Sequence, residues 1–169
     1  MAKKRPTKQN RKKPLLQAAT ICERVITEKD GVITLIRIID SITVSSDKDE
    51  LPPGTLVVTP AVIFKSGEAL GKRNITLIAR DPDSDEICRL KAVMELEGGE
   101  KGGIVSAEMP LAIKMTGLYF IDVLLGSELV TKMPLRICYK KTPQPHAVVK
   151  QKTAKKKSRR KKRALRKKS

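Results

Sequence analysis

The chain has 169 residues, with 36 Lys and Arg against 18 Asp and Glu, a net charge of +18. That length holds one domain with extensions rather than two full domains. A single His, no Trp and 2% aromatic residues set aside most metal centres and His-based catalysis, and no apolar run reaches the length of about 18 residues that spans a membrane.

Residues 1–13 carry Lys3, Lys4, Arg5, Lys8, Arg11, Lys12 and Lys13 and no acid. A segment this dense in like charge repels itself and has nothing apolar to bury, so it is expected to be a disordered arm. No apolar core follows it before Pro14, so a secretory leader is not expected and the protein is placed in the cytoplasm. From Pro14 the composition changes. Ile, Val, Leu and Thr fall in short runs, separated by clusters of Gly, Pro, Asp and Asn, which is the pattern of a β protein.

The first run spans 15–26 and ends in a tight turn at Glu28–Gly31. The second spans 32–44, and its end could be a strand of its own. Asp47, Asp49 and Glu50 make an acidic loop. Runs at 55–65 and 73–81 follow, the first containing Pro60. Then comes Asp81-Pro82-Asp83-Ser84-Asp85-Glu86. Alternating carboxylates can offer oxygens to Ca²⁺, and the same residues are ordinary turn formers. The run 87–97 alternates. Cys88, Leu90, Ala92, Met94 and Leu96 face inward, while Arg89, Lys91 and Glu95 face outward. Gly98–Gly103 (GGEKGG) lacks the Gly-Lys-Ser/Thr and helix of a phosphate loop and is expected to be a flexible connector. Runs at 104–115 and 117–125 precede Gly126-Ser127-Glu128, the most secure hairpin turn. The last run, 128–139, puts Leu129, Met133, Leu135 and Ile137 on one face and Lys132, Pro134 and Arg136 on the other.

Pro60 and Pro134 cannot donate to a ladder, so their strands are expected at sheet edges or at bulges. About eight antiparallel strands in residues 14–139 suit an all-β, two-layer antiparallel sandwich, and no helical stripe appears.

Residues 140–169 carry fifteen Lys and Arg and no acid. Thr142–His146 is a proline-containing spacer. Beyond it lie Lys150, Lys152, Lys155, Lys156, Lys157, Arg159, Arg160, Lys161, Lys162, Arg163, Arg166, Lys167 and Lys168. The two arms leave 14 Lys and Arg for residues 14–139 against all 18 acids, a net of −4. The reading is a mildly acidic sandwich flanked by disordered basic tails.

The segments LLQAATICERVITEKDGVITLIRIIDSITV and GLYFIDVLLGSELVTKMPLRICY resemble the first and last thirds of an uncharacterised bacterial family of small immunoglobulin-like sandwich domains. The shared pattern is an opening strand with Cys and an acid-Arg-Val group, a tight turn and a Leu/Ile-rich second strand. It closes with Gly-x-Tyr and a final strand ending Pro-Leu-x-Ile. The resemblance covers roughly 14–140, implies the immunoglobulin-like fold, and implies no activity.

The only His, His146, sits in the spacer, where nothing rigid would orient it as a base. Cys22, Cys88 and Cys138 form no CxxC pair, and their odd number argues against a disulfide framework. Asn74-Ile75-Thr76 is a formal glycosylation sequon that reads as the start of a strand. No enzyme activity and no cofactor are expected.

The arms carry the functional signal. They attract any polyanion by counterion release. Nucleic acid is the leading partner, DNA or RNA, with an anionic membrane or an acidic protein as the other possibilities. All four aromatics, Phe64, Tyr119, Phe120 and Tyr139, lie in strand-like runs, so the arms have no stacking platform for bases. Contact is expected through phosphates, by the basic residues named above in both arms. The acidic sandwich is not expected to be the nucleic-acid face and would contact a protein partner through an edge strand. The alternative is an interaction or structural module in which the arms are incidental.

Overall fold

Eight strands and no helix form across residues 12–142, the part of the chain that the structure, a computed structural model, describes. In chain order they are β1 (Leu15–Thr27), β2 (Ile33–Ile38), β3 (Ser41–Ser46), β4 (Gly54–Arg80), β5 (Glu86–Ser106), β6 (Met109–Ile113), β7 (Gly117–Leu125) and β8 (Glu128–Lys141). Hydrogen bonding follows the path β2-β1-β4-β7-β8-β3, with β5 and β6 both paired to β4.

The all-β sandwich expectation holds, and β4 is the element that builds it. Its first part pairs with β1, from Leu15↔Lys65 to Cys22↔Thr59. Its second part pairs with β7, from Ile75↔Leu125 to Arg80↔Phe120. One long strand therefore belongs to both layers. The core lies between them. Ile21, Val62 and Phe64 come from one side, and Ile75, Leu77, Tyr119, Ile121, Val123, Met133, Leu135 and Ile137 from the other. Each such aliphatic or aromatic side chain contributes about 1.5–3 kcal/mol when fully buried. Tyr119 is buried, and its hydroxyl donates to the Met115 carbonyl at 2.9 Å. This tyrosine corner is a hallmark of immunoglobulin-like sandwiches.

Several expected boundaries move. Runs 55–65 and 73–81 are one strand, and residues 66–72 continue it. The GGEKGG segment is not a flexible connector but part of β5. The reason is mutual pairing: β4 and β5 form a single antiparallel ribbon from Arg80↔Glu86 to Ala61↔Ser106. The ribbon bulges where Gly67 faces Gly99, and both take positive φ, +54° and +64°. The run 104–115 divides at Ala107–Glu108 into the end of β5 and β6. The run 32–44 divides too, at Ile39–Asp40, just after Arg37 enters the left-handed region at φ 56°.

That second break changes the sheet. β3 leaves β2 and pairs with β8 on the far side, Ser41↔Arg136 through Ser46↔Lys141, and it does so in parallel. The sandwich is therefore mixed rather than wholly antiparallel. The two-residue link is bonded to both layers: Ile39 N–H donates to Ile21 O at 2.8 Å, and Arg136 N–H to Asp40 O at 2.9 Å. The same pairing extends β8 through Lys140 and Lys141, which the composition assigns to the C-terminal arm.

The two prolines behave differently. Pro134 faces Phe120 in β7, but the β3 ladder begins only at Arg136, so its other side is an edge as expected. Pro60 sits on an interior strand opposite Ile21. It is tolerated because β6 pairs only up to Val58 and β5 begins at Ala61, so no second ladder asks for its N–H. The β7–β8 turn is Gly126-Ser127, with Gly126 at φ 64° and Ser127 not in the left-handed region, as in a type II′ turn.

Candidate polyanion-binding surface

Of the arm residues singled out above, Lys12 and Lys13 lie within the described residues. Both are engaged by acids of the sandwich: Lys12 pairs with Glu68, and Lys13 Nζ is 2.6 Å from Glu128 Oε1. The rest, Lys3 to Arg11 and Lys150 to Lys168, lie outside the described residues, as does His146.

The charges of the sandwich are not mixed evenly. Ten of the 18 acids sit in connections between strands: Glu28, Asp30, Asp40, Asp47, Asp49, Glu50, Asp81, Asp83, Asp85 and Glu108. Alternation then sorts what remains. In the layer of β5, β4, β7 and β8, the odd residues of β4, β7 and β8 face the core. Their neighbours face out. The outward residues include Arg89 and Lys91 of β5, Arg80 of β4, Lys132, Arg136 and Lys140 of β8, and Lys72 opposite Glu95. The acids among them are Glu95, Glu97, which pairs with Lys101, and Asp122, with Glu86 at the β5 bulge.

Asp122 is the centre of this face. It is 6% exposed although it points away from the core. Arg80 Nε donates to its Oδ2 at 3.0 Å, and Lys132 Nζ lies 3.4 Å from Oδ1 as an ion pair rather than a hydrogen bond. Lys132 also sits over the Phe120 ring, 5.9 Å from its centroid. Arg80 Nη1 reaches on to Ser84 O at 3.0 Å. At the edge, Arg89 Nε donates to Glu86 Oε1 at 2.7 Å, and this bond holds the Glu86 carboxyl below its usual range. The side chains of Lys91, Arg136 and Lys140 make no ion pair among the described residues.

The acidic loop 81–85 is the β4–β5 turn. Asp81 Oδ1 accepts the N–H groups of Asp83 and Asp85 at 3.0 and 2.9 Å, so its carboxylate caps the turn. Among the described residues no group of three or more His, Cys, Asp or Glu is placed to hold a metal ion. Among the described residues no helix is long and apolar enough to cross a membrane. A shallow depression beside the β2–β3 link contains Glu23 and Arg37, already paired at 3.1 Å.

The three cysteines are free thiols. Cys22 is buried, and its thiol donates to Thr59 O at 3.3 Å. Burial pushes its pKa up, against a smaller opposite effect of a backbone hydrogen bond from Arg24. The thiolate is the reactive species, so Cys22 is expected to be inert in the folded protein. Alkylation of native protein should label half-buried Cys88 and Cys138 and reach Cys22 only on unfolding, which mass spectrometry reads directly. Equal labelling rates at Cys22 and Cys138 would contradict this packing.

The sequence reading missed the basic face. Its signal was present in the outward positions of the runs 87–97 and 128–139, but the net charge of the sandwich concealed it.

No family model matches this chain, and no curated protein matches it. Among solved structures it is similar to an immunoglobulin-like protein from Pseudomonas aeruginosa, with 14% identity over 76% of this chain and 98% of that one, at a TM-score of 0.39. Two structures of a glycosyl hydrolase family 2 member from Bacteroides cellulosilyticus also match, at 12% and 11% identity over 47% and 50% of this chain, both with a TM-score of 0.39. The chain spans only 11% and 13% of the length of those two hydrolase chains.

Proposed function

We propose that this chain is a non-catalytic binding or tethering protein of the cytoplasm, belonging with the small immunoglobulin-like domains it resembles. Its basic segments hold a polyanion, nucleic acid first, through phosphate contacts, and the sandwich contacts a protein partner. The observation that carries the reading is the charge distribution: 20 of 36 Lys and Arg fall in two acid-free segments, residues 1–14 and 142–169, on either side of the strands. The protein contact is supported by β2, which among the described residues pairs only with β1 and presents exposed Ile36 and Ile38 beside its other backbone edge.

Phosphate neutralisation has a quantitative signature. If eight to ten phosphates are engaged, log affinity for duplex DNA falls against log salt with a slope of roughly −7 to −9. Replacing Lys155, Lys156, Lys157, Arg159 and Arg160 by Gln should weaken binding to every sequence about equally and flatten the slope. Fluorescence anisotropy across a salt series measures both. Absence of binding by the full chain at low salt sinks the reading.

A further inference from the structure

We infer that the outward face of the β5–β4–β7–β8 layer is itself a docking surface for the phosphate backbone of duplex nucleic acid. This rests on the polyanion reading above and moves part of the contact from the arms onto the folded domain.

Six cations define the surface: Arg80, Arg89, Lys91, Lys132, Arg136 and Lys140. The register places Arg89, Ile78, Asp122 and Lys132 in one row across four strands. The three strand steps in that row set Arg89 and Lys132 about 14 Å apart, and the eight residues from Lys132 to Lys140 extend about 27 Å along β8. The patch is long enough for several phosphates. β8 carries the face through Lys140, close in sequence to the basic residues of the C-terminal arm.

The cations differ in how they are held. Arg80 and Lys132 share the buried carboxylate of Asp122, and Arg89 is held by Glu86, which fixes their positions. Lys91, Arg136 and Lys140 make no ion pair among the described residues and are the ones available to phosphate.

The same face argues against other polyanions. Single strands are gripped by stacking bases on exposed aromatics, and none is offered. Phe64 and Tyr119 are buried in the core, Phe120 lies beneath Lys132, and the Tyr139 hydroxyl is bonded to the Lys48 carbonyl at 2.6 Å. A membrane surface would be met by exposed apolar side chains that insert. On this face Ile78 is buried, and the strongly exposed large apolar side chains, Leu70 and Val93, lie on neighbouring strands at two separate register positions rather than as a continuous apolar patch. Cations spaced along the strands, without stacking groups, fit a duplex backbone, read by charge and shape rather than by sequence.

The test uses the full chain and two short DNA duplexes of unrelated sequence. K91Q and R136Q each remove a cation that makes no ion pair among the described residues, so the thermal midpoint should not move. Each is expected to flatten the salt slope by about 0.9, and the double variant by about 1.8, with affinity for both duplexes down roughly tenfold at about 0.1 M salt. The arm variant described above is measured alongside. If K91Q/R136Q binds like the parent while the arm variant loses affinity, the folded face is not a docking surface and tethering by the arm stands. If the parent binds neither duplex, both readings fall together. If K91Q/R136Q keeps duplex affinity but loses binding to phosphatidylcholine–phosphatidylserine vesicles, the face belongs to a lipid surface and the duplex assignment is overturned.

Discussion

Replacing Asp122 by Ala is expected to destabilise the protein by about 2–4 kcal/mol, the largest effect of any single polar substitution on this domain. The carboxylate is 6% exposed and sits between two cations on the outward side of β7. Removing it leaves the Arg80 guanidinium, itself about two-thirds covered, without its counter-charge. A buried, orphaned charge costs more than the intact pair contributes. For a domain of this size the midpoint of thermal unfolding should fall by about 10 °C. D122N keeps an oxygen for Arg80 and should lose less. K132Q should cost under about 1 kcal/mol, because Lys132 is half exposed and water replaces its partner. Denaturant titration of the three variants ranks them, and a D122A variant as stable as K132Q would show that the pair with Arg80 contributes nothing.

A comparable loss is expected from Gly102→Ala, for a steric reason. A Cβ at Gly102 would lie 2.5 Å from the carbonyl oxygen of Phe64, on the strand it pairs with. That neighbour is backbone, held in the ladder between β1 and β5, so it cannot step aside. The bend of the ribbon would have to open, at about 2–3 kcal/mol or more. Gly103→Ala is the informative comparison. Its Cβ would meet Met94 Sδ at 2.8 Å, a flexible side chain that can change rotamer. Gly103→Ala should therefore cost less than half as much. Equal losses in the two variants, by the same denaturant measurement, would mean that the glycines serve chain flexibility rather than close approach.

Parts of this fold can be read directly from local pattern. The alternation through Met133, Leu135 and Ile137 places one face of β8 on the core, and Gly126-Ser127 closes its hairpin with β7. The turn at Asp81–Asp85 is equally local, because one carboxylate makes the bonds that define it. The misread segments depend on partners far away in sequence. Residues 66–72 and GGEKGG look like punctuation because they are rich in Gly and charge. They are strands because each lies opposite the other, Lys65 facing Gly102 and Gly67 facing Gly99. The parallel pairing of β3 with β8 joins Ser41 to Arg136, and no local rule announces it. The candidate surface shows the same division. The outward positions of Arg89, Lys91, Lys132 and Arg136 follow from period-two alternation alone. That β5 and β8 lie in one layer, with β4 and β7 between them, does not. The charge sum of the sandwich, −4, averages over the separation that matters, since loops hold most of the acid and one face holds much of the base.

The link at Ile39–Asp40 has a consequence for how the molecule comes apart. β2 and β3 are the two ends of the pairing path and are also neighbours in sequence, so the layers are fastened along both flanks: by β4 on one side, and by this link on the other. Neither layer can swing away from its partner like a page. Opening requires breaking a ladder, and breaking a ladder exposes the shared core. Slow amide exchange in β1 and in β8 should therefore report a single opening event with a common free energy, with the domain behaving as one cooperative unit rather than as two sheets that breathe independently.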